Sequence, residues 1–479
     1  MESTLFAYIR FHLLGEAFYY EKNLSFSIVL IAKQKLFKGE ISFIMIPHET
    51  LQCNKNIKYN FEGGNLTSDA GLLLVHEFTE KIKFKSLLNQ HFGIEGDSAI
   101  RQHSNTDLCL QQIFQTISGY HCADHADELR HDPLLTTLLE KDALASQPTL
   151  SRFAHRLTKT TSKQFEQVNE KVLDTYYQLE TPEHFIFDVD STHFQTYGKQ
   201  YGTGFNAHYQ ATGFHPLMVF DGMTSDCLKV ELRSGNVYTS RNVVSFLGPV
   251  LSRYKTKFKS SYRIVRGDSG FAHKELYSLC ETLDTKYVIR LKANPNLYRQ
   301  AAEFTQLVMK EENIQYSQQV FGEFEYQAKS WDKPRRVIVQ IRRQAGELYP
   351  NHMFIVTNME TGPEMVIAFY AKRGTMENYI KECKSGFKMD KVSHKNYMAN
   401  LNRIQQVVLA YNLINGFRRL TLPKDYRKMM IETLRTKLFK VAAKKVKKAR
   451  QVIFKLCSYY PYKKLFNQAL KNIQTLQLE

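Results

Sequence analysis

Between residues 185 and 291 short apolar runs and turn residues alternate in an order that few folds accommodate. Residues 185–190 form an apolar run closed by acids, and runs at 215–221 and 227–232 follow, with turn signals at Asp221-Gly222 and Ser234-Gly235-Asn236. The stretch 262–266 is strand-like and ends at Gly267-Asp268. A helix is expected over 273–283 and a further strand over 287–291. Three strands in a meander, then strand, helix, strand, predict a mixed α/β sheet.

The flanks read differently. Residues 1–47 are aromatic-rich and aperiodic and contain an internal Met45. They read as an atypical N-terminal extension, with translation from upstream of the natural start as one explanation. Residues 58–180 predict a helical region, a candidate for DNA binding through its short basic helix: Leu72, Leu73, Leu74, Phe78 and Ile82 recur at helical spacing, as do Leu108, Leu110, Ile113 and Ile117. A short basic helix starting near Gln147-Pro148 could enter a DNA groove or simply pack. The first part of the core spans 181–299. A β-rich segment is expected over 300–367, core helices over 368–420, and a basic helical region over 421–479.

Charge narrows the partner. The chain has 65 Lys+Arg against 47 Asp+Glu, a net of +18, which favours a polyanion such as nucleic acid. The excess is concentrated at 424–464, with 14 Lys+Arg against 2 Asp+Glu, densest at Lys444, Lys445, Lys447, Lys448 and Arg450. Such a run predicts salt-sensitive, sequence-independent contact with DNA; a basic membrane-surface helix is the competing reading. No apolar run is long enough to span a bilayer. The seven cysteines are scattered without a CxxC pair, which points to a reducing, cytoplasmic setting rather than a disulfide framework or a cysteine-based zinc site. His121, Cys122, His125 and His131 lack the companions of a zinc motif and read as polar helix residues.

Two acids close strands. Asp190 ends the first and Asp268 the fourth, where open α/β sheets collect ligands. Asp188 lies two residues before Asp190 and therefore on the same face. A third acid stands in a spaced set: Tyr370, two residues, Arg373, three residues, Glu377, six residues, Lys384. Gly374-Thr375 is a plausible helix start, which puts Glu377 in the first turn, where a carboxylate stays ionised readily. Lys381 and Lys384 then fall one and two turns on along the same face.

This Y-R-E-K set resembles the signature of bacterial insertion-sequence transposases of the DDE type. Asp190-Ser191-Thr192 resembles the segment around the family's first acid, and residues 266–271 the segment around its second. The similarity extends to residues 61–71, to 233–236 and to the basic tail, covering roughly 58–465. The resemblance implies an RNase H-like mixed-sheet core with a β-rich insertion, flanked by helical N- and C-terminal regions. It implies that Asp190, Asp268 and Glu377 bind two Mg²⁺ (or Mn²⁺) ions, a hard-oxygen ligand set suited to such ions. Asp188 is left open as the carrier of the first acid. The implied reaction is cleavage at transposon ends and transfer of the freed 3′-OH into target DNA by a homodimer in a synaptic complex, in the cytoplasm at the nucleoid. Tyr370, Arg373 and Lys384 are expected to contact DNA phosphates, and Trp331 either to stack on an extruded base or to pack in the core. The rival readings are a nuclease or resolvase that only cuts, and a non-catalytic DNA-binding derivative.

Overall fold

The computed structural model describes residues 49–95, 101–309 and 315–477. The extension at 1–47, with Met45, lies outside the described residues. The chain divides into two units, residues 1–65 and 66–479. Within the first, Glu49–Thr50 pairs antiparallel with Lys58–Tyr59.

The second unit begins with helices, among them α1 (Leu72–Lys81), α2 (Asn105–Ser118), α3 (Gln147–Arg156) and α4 (Lys159–Leu179). Their starts are written locally. Ser104 and Asp107 form a reciprocal capping box on α2, Thr158 and Thr161 do the same on α4, and Pro148 occupies the first turn of α3.

The sheet follows as β1 (His184–Ser191), β2 (Leu217–Asp221), β3 (Cys227–Glu231), α5 (Val243–Lys257), β4 (Tyr262–Gly267), α6 (Lys274–Thr282) and β5 (Lys286–Leu291). Three more strands, β6 (Gln318–Tyr326), β7 (Arg335–Arg343) and β8 (Asn351–Thr357), complete it. Spatial order is β6-β7-β8-β5-β4-β1-β2-β3, with β1, β4 and β5 parallel and the others antiparallel to their neighbours. The expected mixed sheet is therefore present. The β-rich segment is a continuation of that sheet: β8 pairs along the outer edge of β5 and satisfies backbone groups that an edge strand would leave open.

The two faces of the sheet differ. Phe185, Phe187, Val189, Val265 and Ile289 enter the main core. Ile264, Val288, Ile338 and Ile355 form a smaller core, capped by Val366, Ile367 and Tyr370 of α7 (Pro363–Ala371). After α8 (Thr375–Lys381) and one π-helical turn (Glu382–Gly386), the chain enters α9 (Tyr397–Thr421), buried for most of its length. Its buried amides are satisfied: Asn412 accepts from Cys227 N at 2.9 Å and donates to Cys227 O and Asn169 Oδ1 at 2.7 Å. Gly416 lets α9 approach α4, because a Cβ there would stand 2.3 Å from Tyr176 Cζ. Gly416→Ala is expected to cost about 1–3 kcal/mol by overpacking, measured as a lowered urea midpoint with an unchanged m-value.

The expectation of a wholly helical tail needs correction. The densest basic segment is a hairpin, β9 (Ala443–Lys448) with β10 (Gln451–Leu456), and β9 also pairs with Leu66–Thr67. Val446, Val452, Ile453 and Phe454 are strand formers, and Ala449 at φ +54° makes the turn that a helix would not contain. Short helical turns, Ile431–Leu434 and Arg435–Phe439, precede the hairpin, and a longer helix, Lys463–Thr475, follows it.

Trp331 is buried, with its ring edge-to-face against Tyr277 and Tyr326 and the Arg335 guanidinium 5.7 Å from its centroid. The packing alternative for this ring is the one the structure displays. His121 lies outside any helix, before the single turn His125–Glu128. Among the described residues no helix is long and apolar enough to cross a membrane.

Candidate active site

Parallel pairing of β1 with β4 puts their C-terminal ends side by side, with Asp188 directly opposite Arg266 and Val189 opposite Gly267. One step further on, Asp190 and Asp268 emerge as neighbours at the sheet's C-terminal edge. Asp188 and Asp190 share a face but not an environment. Asp188 is fully buried and bound two-fold by Arg266, whose Nε and Nη2 donate at 2.6 and 2.7 Å. Arg266 also donates from Nη1 to Phe369 O at 2.7 Å and lies 4.9 Å from the Phe369 ring centroid. Gly222 leaves room for the pair, since a Cβ there would lie 2.7 Å from Asp188 Oδ2. Asp188 is thereby committed to an internal ion pair.

Asp190 is half-open. Its Oδ1 accepts from Ser191 N at 2.8 Å, and its Oδ2 accepts from Arg373 Nη2 at 2.8 Å. Asp268 caps the short turn Ser269–Phe271 through Oδ1, leaving Oδ2 3.5 Å from the same Arg373 nitrogen. Arg373 occupies a short 3₁₀ turn between α7 and α8, and Glu377 follows in the first turn of α8, exposed to solvent. Burial pushes the Asp190 carboxyl up to about 6; Arg373 opposes that, while Asp268 and Glu377 reinforce it. Burial is the larger cause, and the nearby carboxylates of Asp268 and Glu377 add to it. Among the described residues no three acids, histidines or cysteines are already close enough to enclose a metal ion.

Asp190 and Glu377 line one cavity of about 370 Å³ together with Thr192, Lys381 and Lys384. Lys384 sits on the π-helical turn and donates to His193 O at 3.0 Å. That turn is anchored from behind by Glu382, which takes two bonds from Arg418 at 2.8 and 3.2 Å. Tyr370 is buried in the smaller core rather than facing the cavity. Lys444, Lys447 and Lys448 are exposed and Lys445 half-buried on the hairpin. Tyr209 escaped sequence reading. It stacks on His193 at 5.0 Å between ring centroids, and burial, with Asp190 and Asp268 nearby, raises its phenol pKa. It stands on a turn with no motif around it, so nothing in the sequence marks it.

Among solved structures, the piggyBac transposase synaptic complex with hairpin DNA is similar at 14% identity, with 78% of this chain and 80% of that chain covered and a TM-score of 0.41. The Mos1 transposase paired-end complex with left transposon end is similar at 14% identity, with 41% and 61% covered and a TM-score of 0.16. No curated protein matches. Residues 49–478 match the family described as Transposase DDE domain group 1, a span that holds the sheet, all three strand-end and helix acids and the basic hairpin. The chain belongs to the DDE transposase family, domain group 1.

Proposed function

We propose that this transposase cuts DNA at transposon ends and joins the freed 3′-OH to target DNA, using Asp190, Asp268 and Glu377 to hold two Mg²⁺ or Mn²⁺ ions. The observation that carries the reading is that Asp190 lines one cavity with Glu377, Lys381 and Lys384 and shares Arg373 with the neighbouring Asp268. The donor set fits such ions: every candidate ligand is a carboxylate oxygen, and Asp190 already feels Asp268 and Glu377 as like charges. Bound ions would polarise the scissile phosphate and stabilise the oxygens that attack and leave. The protein's own groups then orient DNA. Lys381 and Lys384 line the cavity with Glu377 and would take phosphate oxygens, while Tyr370 packs α7, and with it the Arg373 turn, against the sheet. Chemistry on two paired ends calls for a homodimer, and a bacterial cytoplasmic, nucleoid-associated setting accords with the signature around Glu377.

The test is strand transfer. Full-length protein with Mg²⁺, DNA carrying the inverted repeats that flank its gene, and a target plasmid should yield joined product. Cleavage without any joining would move the reading to a nuclease or resolvase.

The basic hairpin supplies a second, sequence-independent contact. Replacing Lys444, Lys445, Lys447 and Lys448 by Gln should weaken duplex binding for all sequences alike. It should also flatten the plot of log affinity against log salt by about 0.9 for each lysine that meets a phosphate. Fluorescence anisotropy over a salt series reads this directly. An unchanged slope would remove the hairpin from the DNA surface.

A further inference from the structure

Arg373 lies where a cation between the two strand-end aspartates has to lie. One of its nitrogens, Nη2, is 2.8 Å from Asp190 Oδ2 and 3.5 Å from Asp268 Oδ2, while its Nε is buried and meets no partner among the described residues. That differs from two other buried ion pairs of this chain. Arg266 grips Asp188 with two nitrogens, and Arg418 grips Glu382 with two. At Arg373 a single nitrogen is shared end-on between two acids, as a counter-ion would be. The guanidinium hangs from the Lys372–Gly374 turn, and among the described residues nothing lies within 4 Å of a Cβ built on Gly374.

We infer that Arg373 is a displaceable counter-cation that holds Asp190 and Asp268 together before a divalent ion enters, yields its place when the ion binds, and turns to a DNA phosphate. The inference rests on the proposed reading of the acids as metal ligands. Arg373 is thus a positioning residue whose two destinations are linked. DNA that draws its guanidinium away strengthens divalent-ion binding, and the ion strengthens DNA binding by the same factor.

The experiment measures Mn²⁺ binding by calorimetry on the full chain, with and without a duplex, for the parent, Arg373→Gln, Arg373→Lys and Asp190→Asn. Without DNA, Arg373→Gln should bind Mn²⁺ about tenfold more tightly than the parent, and Arg373→Lys should fall between them. Duplex should tighten Mn²⁺ binding in the parent and leave Arg373→Gln unchanged. A merely structural arginine would give the opposite, weaker Mn²⁺ binding once removed. Unchanged or weaker binding in Arg373→Gln overturns the inference; should that variant fail to fold, the same outcome in Arg373→Lys does so. Asp190→Asn separates the two levels. If the parent's Mn²⁺ binding ignores Asp190, the proposed metal site itself fails; if it depends on Asp190 but not on Arg373, only the counter-cation role fails.

Discussion

Asp190→Asn is expected to lower DNA cleavage and joining by about 10³-fold or more while duplex binding and the fold persist. The several kcal/mol that a bound divalent ion contributes to a phosphoryl transition state convert at about 1.36 kcal/mol per tenfold, so loss of one ligand removes most of the rate. Asp268→Asn and Glu377→Gln should behave alike, because as the proposed metal ligands the three acids would act as one unit. Stability of the metal-free protein should stay within about 1 kcal/mol of the parent, since two effects oppose each other. The Asp190 carboxyl is raised to about 6 in the folded protein, so the folded state holds its proton more firmly than the unfolded one. Stability from this group therefore declines as pH rises through that value, and at neutral pH its charge is a net cost that Asn does not carry. Against this, Arg373 loses its nearer partner and keeps only Asp268. A supercoiled donor plasmid, gel-shift binding and thermal melting measure the three quantities. Cleavage retained at the parental rate in Asp190→Asn would remove that residue from the chemistry.

The parts of this arrangement that were legible in sequence are those that depend on local period and on chain order. Apolar runs of strand length separated by Asp-Gly and Ser-Gly-Asn turns locate β1 to β5, and the acids at their ends follow from position alone. The start of α8 at Thr375 was legible for the same reason, since Gly374 and the residues around it carry the signal locally. What failed depends on partners distant in sequence. Lys and Ala favour a helix at 443–448, yet the segment is a strand, because Gln451–Leu456 and Leu66–Thr67 pair with it. Trp331 could not be assigned from its neighbours, because the rings that enclose it come partly from Tyr277 on α6. Arg373 was legible as a cation near DNA but not as the partner of Asp190, nearly two hundred residues earlier in the chain. Period two places Asp188 and Asp190 on one face and cannot rank them. Arg266, brought opposite Asp188 by the β1–β4 register, does.

That ranking makes the second large prediction. Asp188→Ala is expected to destabilise the protein by about 3–5 kcal/mol, because it strips a buried guanidinium of its counter-charge. Arg266 is 1% exposed and cannot reach solvent, so its remaining contacts are Phe369 O and the Phe369 ring. Those contacts tie β4 to α7, and α7 carries the turn from which Arg373 reaches the acids. The site should loosen before the chain unfolds. Replacing both partners, Asp188→Leu with Arg266→Met, should recover much of the loss, since a well-packed apolar pair avoids the desolvation that the ions suffer. Urea titrations of the two variants, beside Asp190→Asn, decide the matter. A marginal Asp188→Ala protein beside a stable, inactive Asp190→Asn protein supports the assignment of one acid to the fold and the other to the chemistry. If Asp188→Ala instead folds as stably as the parent and cannot cut DNA, the roles are reversed, and the Arg266 pair becomes a store for a ligand that the active complex releases.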